Sequence, residues 1–246
     1  MEINIAFMLN TFVLALEGIP VTLGLTAFSL LSAIPLGFFL ALSRIYRIRA
    51  LGKISALYVS FMRGTPIVLQ ILIVYSLLPS LLNALVKKTG SSVNVFDINP
   101  FIYALAVFSL NSAAGLAEIF RSAILTVDKG QMEAALSAGL TPAAAYRRII
   151  IPQALVSALP NICNLTVNLI KSTSLAFIMT VKDITAIAKI AASYGYNYIE
   201  AYLDIFALYI VICGAAQWLF SLMENRFAVY KKPDILLRKR RLYASN

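Results

Sequence analysis

The sequence predicts an all-α integral membrane protein with five transmembrane helices. Three observations carry that expectation. Only 13% of the 246 residues are charged against 60% hydrophobic, with a mean hydropathy of +0.83, whereas a soluble domain carries about 25% charged residues. Five stretches are apolar for roughly the 20 residues that a spanning helix needs: about 19–42, 57–84, 101–125, 154–179 and 201–223. Lys and Arg collect in alternate connections between those stretches.

The elements follow in order. Residues 3–17 form an apolar, surface-lying lead-in that ends near Glu17. The first basic residue is Arg44, so the basic start of a cleavable signal is missing and the N-terminus reads as retained. The first span ends before Ser43-Arg44, and the second carries Arg63 near its start with Pro66 and Pro79 inside. Arg44, Arg47, Arg49 and Lys53 fill the first connection, and Arg121, Lys129, Arg147 and Arg148 the third. The tail adds Arg226, Lys231, Lys232, Arg238, Lys239, Arg240 and Arg241, while the second and fourth connections hold only Lys87, Lys88, Lys182 and Lys189. The positive-inside bias therefore puts the N-terminus outside and the C-terminus in the cytoplasm. It also accounts for a net charge of +10 without nucleic acid.

Composition excludes several kinds of chemistry. Histidine is absent, and Cys163 and Cys213 lie far apart in apolar segments. No metal site of the His/Cys type and no disulfide framework is expected. No Gly-x-x-x-x-Gly-Lys-Ser/Thr stretch is present to cradle nucleotide phosphates, so any nucleotide-driven step falls to another subunit. No nucleophile–base arrangement suggests an enzyme.

The stretch "GQMEAALSAGLTPAAAYRRIIIPQAL", residues 130–155, is too short and interrupted to span. Asp128 and Gln131 form an Asp-x-x-Gln capping box ahead of strong helix formers. Gly139 supplies a left-handed stop, and Thr141-Pro142 restarts a second short helix, "AAAYRRII", that runs to Pro152. A helix of about ten residues, about 15 Å long, is marginal alone in water and needs a surface to pack on.

Glu133-Ala134-Ala135, then Gly139, Ile149, Ile151 and Pro152, resemble the "EAA" loop of ABC-importer permeases. Ile151 stands where that pattern usually has Leu. "RGTPIVLQ" (63–70), "AEIFRSAI" ahead of "GQMEAA", and "IKSTSLA" (170–176) resemble signatures of the polar amino-acid branch. The resemblance covers roughly 18–228 and implies a type I ABC importer permease core. It implies an outer lead-in over 1–18, a five-helix permease domain over 19–225 with a coupling loop at about 128–152, and a basic cytoplasmic tail over 226–246. Gln131, Glu133, Ala134, Ala135, Gly139 and Pro152 would engage a cytoplasmic ATPase. Two such ATPase subunits, an extracytoplasmic substrate-binding protein and a second permease copy or homologue are the implied partners in a bacterial-type cell membrane. ATP-Mg would reside on the ATPases, and no cofactor on this chain.

Polar residues within spans are expensive and mark cavities or helix contacts. Asn161, Asn164, Asn168 and Lys171 share one face of the fourth span, and Asn111, Gly115, Glu118 and Ser122 one face of the third. At 1.5 Å per residue, Asn111 and Asn164 both lie about 15 Å deep and can face one cavity. The expected substrate path is therefore Asn111, Ser112, Gly115, Glu118, Asn161, Asn164, Asn168, Lys171 and Ser172, with Lys171–Ser172 either a gate or the support of a bend. Gly115 replaces the bulky aromatic common at its place in related permeases; it either enlarges the cavity or lets helices approach. "ITAIAKIAASYGYNYIEAYLD" resembles permeases for cystine, which directs the substrate expectation toward L-cystine or a related amino acid. The rival reading is an autonomous secondary transporter or channel, for which the inverted repeat typical of such folds is not apparent.

Overall fold

The computed structural model describes residues 3–88 and 94–227. Its elements are α1 (Ile5–Leu16), α2 (Ile19–Ile45), α3 (Arg49–Gly64), α4 (Ile67–Lys88), α5 (Pro100–Leu125), α6 (Lys129–Ser137), α7 (Pro142–Ala145), α8 (Ile151–Thr173), α9 (Ile184–Ser193) and α10 (Tyr198–Phe227). Short 3₁₀ turns, Val95–Asp97 and Ser174–Met179, precede α5 and follow α8. Among the described residues, five segments are long and apolar enough to cross a membrane: Ile5–Ile45, Ile67–Lys88, Pro100–Leu125, Pro142–Met179 and Tyr198–Phe227. The basic tail beyond 227 lies outside the described residues.

The heart of the bundle is α2 against α5. Small residues permit it: Ala33, Gly37 and Ala41 of α2 meet Ala113, Ala114 and Ala117 of α5, all buried. A Cβ on Gly37 would stand 2.8 Å from Leu116 Cβ and 3.0 Å from the Ala113 carbonyl. Close approach of small residues is how helices gain contact in lipid, where water drives nothing together. α8 packs against both α5 and α2, and α10 packs on α8 and α9.

The lead-in is helix α1, capped by Asn4 and packed on α9 and α10 with Thr11 and Ala15 buried. Its junction with α2 presses on the start of α9. A Cβ on Gly18 would overlap the backbone of Asp183 and Ile184, so only glycine fits there.

The second span expected over 57–84 is two helices. α3 ends at Gly64, Thr65 is extended (φ −112°, ψ 142°), and α4 begins at Ile67. Proline explains the break, because it disfavours the helical region for the residue before it and lacks the N–H that would continue the ladder. The orphaned carbonyls are not left bare. Gln70 Nε2 donates to Met62 O (3.0 Å), Thr65 O (3.3 Å) and Thr65 Oγ1 (2.7 Å). α3 is held below by a hydroxyl pair, Ser43 and Ser55, at 2.7 Å. Tyr58 Oη donates to the Leu110 carbonyl at 2.7 Å.

The element between α5 and α8 also departs from expectation. Asp128 caps α6, accepting from Gly130 N at 2.7 Å, but Gln131 does not complete the box. Its Oε1 instead accepts from Gln153 Nε2 at 3.4 Å, tying α6 to α8. Gly139 is left-handed (φ +82°), and Thr141 caps α7 through Ala144 N. The second helix does not stop at Pro152. α7 passes through a π turn, Tyr146–Ile150, straight into α8, with Pro152 in its first turn. The wider turn absorbs the missing N–H and ring of a proline that would otherwise break the helix.

Candidate functional site

A cavity of 440 Å³ opens between α5 and α8 where α3 breaks into α4. α5 contributes Asn111, Ser112, Gly115, Glu118 and Ser122, and α8 contributes Asn161, Asn168 and Ser172. Arg63 and Ile67, flanking the break, close the third wall. Each side chain comes from a helical face at three- or four-residue spacing. Two of the expected path residues stand apart. Asn164 and Lys171 are exposed on α8 and do not line this cavity.

The two walls differ in how their polar groups are used. On α5, Asn111 Nδ2 donates to Gln70 Oε1 at 3.1 Å and to Met62 O at 3.4 Å. Its amide donor is therefore spent on the α3–α4 break. On α8, Asn161 and Asn168 are exposed and make no side-chain hydrogen bond to the described residues. Ser172 Oγ donates to the Asn168 carbonyl at 2.8 Å, the local back-bonding of a helical serine.

Glu118 is held on both oxygens. Arg44 Nη1 reaches Oε2 at 2.7 Å from the last turn of α2, and Arg121 Nη2 reaches Oε1 at 2.5 Å one turn along α5. Charge-assisted bonds of this kind are the strong ones, and these join two helices at one end of the cavity. Arg63 forms no ion pair among the described residues. Among the described residues that line the cavity, Arg63 is a cation without an ion pair, and the carboxylate of Glu118 is paired on both oxygens.

Gly115 lines the cavity, but the space above it is taken: a Cβ there would overlap the end of the Leu165 side chain. The glycine both borders the cavity and admits the end of the Leu165 side chain. Arg63, Ile67 and Leu165 complete walls that the polar stripes alone did not delimit.

The loop bearing the EAA-like residues sits at the Arg44 end of the bundle. Ala135 is buried, Glu133 and Ala134 are exposed, and Pro152 is half-buried. Tyr46 Oη donates to Tyr146 Oη at 2.9 Å, and Ile150 and Ala154 pack with Ala123 and Ile124. Among the described residues no group of three or more Cys, Asp or Glu side chains is placed to hold a metal.

Residues 33–229 match the model of the family described as binding-protein-dependent transport system inner membrane component. The chain is 38% identical over 220 residues to the L-cystine transport system permease protein TcyL of Bacillus subtilis (strain 168), covering 89% of this chain and 90% of that one. It is 36% identical to the octopine transport system permease protein OccM of Rhizobium radiobacter, covering 91% and 90%. It is 33% identical to the arginine transport system permease protein ArtQ of Bacillus subtilis (strain 168), covering 86% and 91%. A solved amino acid ABC transporter superposes with TM-score 0.75 at 31% identity, over 92% of this chain and 100% of that one. The MetNI methionine ABC transporter, at 18% identity and TM-score 0.67, shares the fold. The break at Pro66, the polar cavity and the docking-sized loop are therefore parts of an inner-membrane permease, and this chain belongs to the family of binding-protein-dependent transport system inner membrane components, as a transport subunit of an ABC importer.

Proposed function

We propose that the chain forms half of the membrane path of an ATP-driven amino-acid importer, with a zwitterionic amino acid of the cystine kind as substrate. The observation that carries this reading is the cavity between α5 and α8, with carboxamides on both walls and its carboxylate already neutralised. A volume of 440 Å³ falls within the range of small-molecule pockets, about 300–1,000 Å³. Arg63 receives the α-carboxylate, and the unpartnered amides of Asn161 and Asn168 take the remaining polar groups. A substrate with a cationic side chain finds no free carboxylate, because Arg44 and Arg121 occupy both oxygens of Glu118. The name of the TcyL relative agrees with that chemistry.

In this reading the N-terminus faces outward and the loop from Asp128 to Pro152 faces the cytoplasm. A second copy or homologue completes the path, a binding protein delivers substrate at the opposite end, and two ATPase subunits grip the α6–α7 elements. ATP closes the ATPases and biases a two-state equilibrium between outward- and inward-facing forms. Competition of radiolabelled cystine uptake by a panel of amino acids, in cells with and without this subunit, tests the proposal. Cystine is expected to compete best. Uptake that depends on this subunit but is blocked by arginine and not by cystine would sink the substrate assignment. Transport by the purified chain alone in liposomes would sink the importer reading.

A further inference from the structure

Asp183 is fully buried at the start of α9, beside Ile184 of the apolar cluster that joins α1, α8, α9 and α10. Its Oδ1 caps α9 by accepting from Ala186 N at 2.8 Å, and its Oδ2 accepts from Tyr209 Oη of α10 at 3.3 Å. Three more hydroxyls surround that phenol, from Thr22 of α2, Thr173 of α8 and Thr185 of α9, all buried. Thr173 Oγ1 is used on its own helix, donating to the Ile170 carbonyl at 2.6 Å. Among the described residues, the Thr22 and Thr185 hydroxyls have no well-directed partner, although a buried hydroxyl ordinarily has one. They are spare donors beside a buried acid.

No side-chain cation compensates that acid. Asp183 forms no ion pair among the described residues. Lys182 is exposed, and Lys189 of α9 lies over the Phe177 ring at 3.9 Å. Lys171 of α8 and Glu17 beside the α1–α2 junction are exposed. On α10, Asp204 is buried, and buried Glu200 accepts from Asn4 N at 2.9 Å. Burial without a counter-charge favours the neutral acid, whose proton is held up to about 6. Once ionised, the carboxylate needs more donors, because hydrogen bonds to a charged group are the stronger ones. Thr185 supplies one directly, and Thr22 another through Tyr209 Oη.

The cluster touches the substrate cavity through α8. Thr173 directly follows Ser172, which lines the cavity, at the end of that helix. We propose that Asp183 is a proton-sensitive positioning residue for transport: when ionised it gathers Thr185, Tyr209 and Thr22, and this shifts the Thr173 end of α8 and the cavity wall beside it. The neutral acid leaves that wall where it holds cargo. The inference rests on the amino-acid importer reading.

The test uses the intact transporter with its ATPase and binding protein in liposomes, at equal pH on both sides. Maximal cystine uptake is compared for the parent, Asp183→Asn and Thr185→Val. Parent and Asp183→Asn are expected to match near about pH 5, where the acid is neutral. Parent uptake should then fall about threefold relative to Asp183→Asn by about pH 8. Thr185→Val keeps the carboxyl and removes a donor to its charged form, so its midpoint should move to higher pH. Infrared spectra of the same proteins should show a protonated-carboxyl stretch that disappears at each protein's uptake midpoint and is missing in Asp183→Asn. A parent-to-variant ratio that is level across pH, or that moves the other way, overturns the proposal. So does an infrared midpoint that Thr185→Val leaves in place. If the parent takes up no cystine at any pH, the substrate reading fails instead, and binding-protein-stimulated ATP hydrolysis over the same pH series decides the role of Asp183 by the same ratios.

Discussion

Arg44 Nη1 lies 2.7 Å from Glu118 Oε2 and joins the last turn of α2 to the end of the polar cavity on α5. The side chains are only 21% and 26% exposed, and Arg121 holds the other carboxylate oxygen. Removing the carboxylate leaves two guanidinium groups facing each other. Glu118→Ala is expected to lower the melting temperature of the purified transporter and to cut uptake at least tenfold. A double-mutant cycle with Arg44→Ala should return a coupling of about 1–3 kcal/mol. Additive losses would show that the two residues act separately.

Gln70 is expected to be as sensitive as any cavity residue, although it touches no substrate in this account. Its Nε2 satisfies the carbonyls of Met62 and Thr65, and its Oε1 takes the Asn111 amide. Gln70→Ala leaves those groups unsatisfied in a dry site, at about 1–3 kcal/mol for a buried polar group. Thermal unfolding in detergent should show the loss, and Asn111→Ala should cost less in a Gln70→Ala background than in the parent.

Gly115→Ala is expected to impair transport by driving Leu165 from its seat over the glycine. A second change, Leu165→Ala, makes room for the new methyl and should recover uptake. If Leu165→Ala alone widens the accepted range of amino acids, Leu165 sets the size limit of the cavity.

Asp183 caps α9 through Ala186 N at 2.8 Å and accepts from Tyr209 Oη at 3.3 Å, and it is fully buried. Burial pushes its carboxyl up to about 6 against the hydrogen bonds that lower it. The folded protein then holds this proton more tightly than the unfolded chain does. The stabilisation is complete below about pH 4, the ordinary aspartate value, and is lost as pH rises through about 6. Melting temperature should fall across that window in the parent and stay level in Asp183→Asn, whose amide oxygen still caps the helix.

Gly139 adopts φ +82° between α6 and α7. Gly139→Ala places a Cβ in the left-handed region at a cost of about 1–2 kcal/mol, with nothing nearby to obstruct it. Co-purification of the ATPase is expected to weaken while the permease stays in the membrane. Glu133→Ala, on the exposed face of α6, should weaken the same co-purification without that local strain.

Apolar length and composition were enough to read five spans, and caps at Asp128, Thr141 and Gly139 were readable because their partners lie within four residues. The polar stripes on α5 and α8 also pointed to facing walls. What eluded the sequence depended on distant partners. Pro66 looked tolerable inside a span until Gln70 was seen stitching the broken end. Arg121 was a local partner for Glu118 at i+3, but the second partner, Arg44, is 74 positions away. Asn111 and Asn164 were matched by depth, but rotation about α8 turns Asn161 and Asn168 to the cavity instead. Pro152 read as a stop, since a π turn leaves no local signature strong enough to overrule it.

That turn makes the loop and the cavity wall one rod. From Pro142 through Tyr146–Ile150 to Asn161 the helix is unbroken, a lever arm of about 28 Å at 1.5 Å per residue. A tilt of about 5° at its foot sweeps Asn161 through about 2 Å, enough to part a 3 Å hydrogen bond. A small movement of whatever holds the foot is thereby carried to the cavity wall, with the π turn and Pro160 the places along the rod where the regular hydrogen-bond ladder is altered.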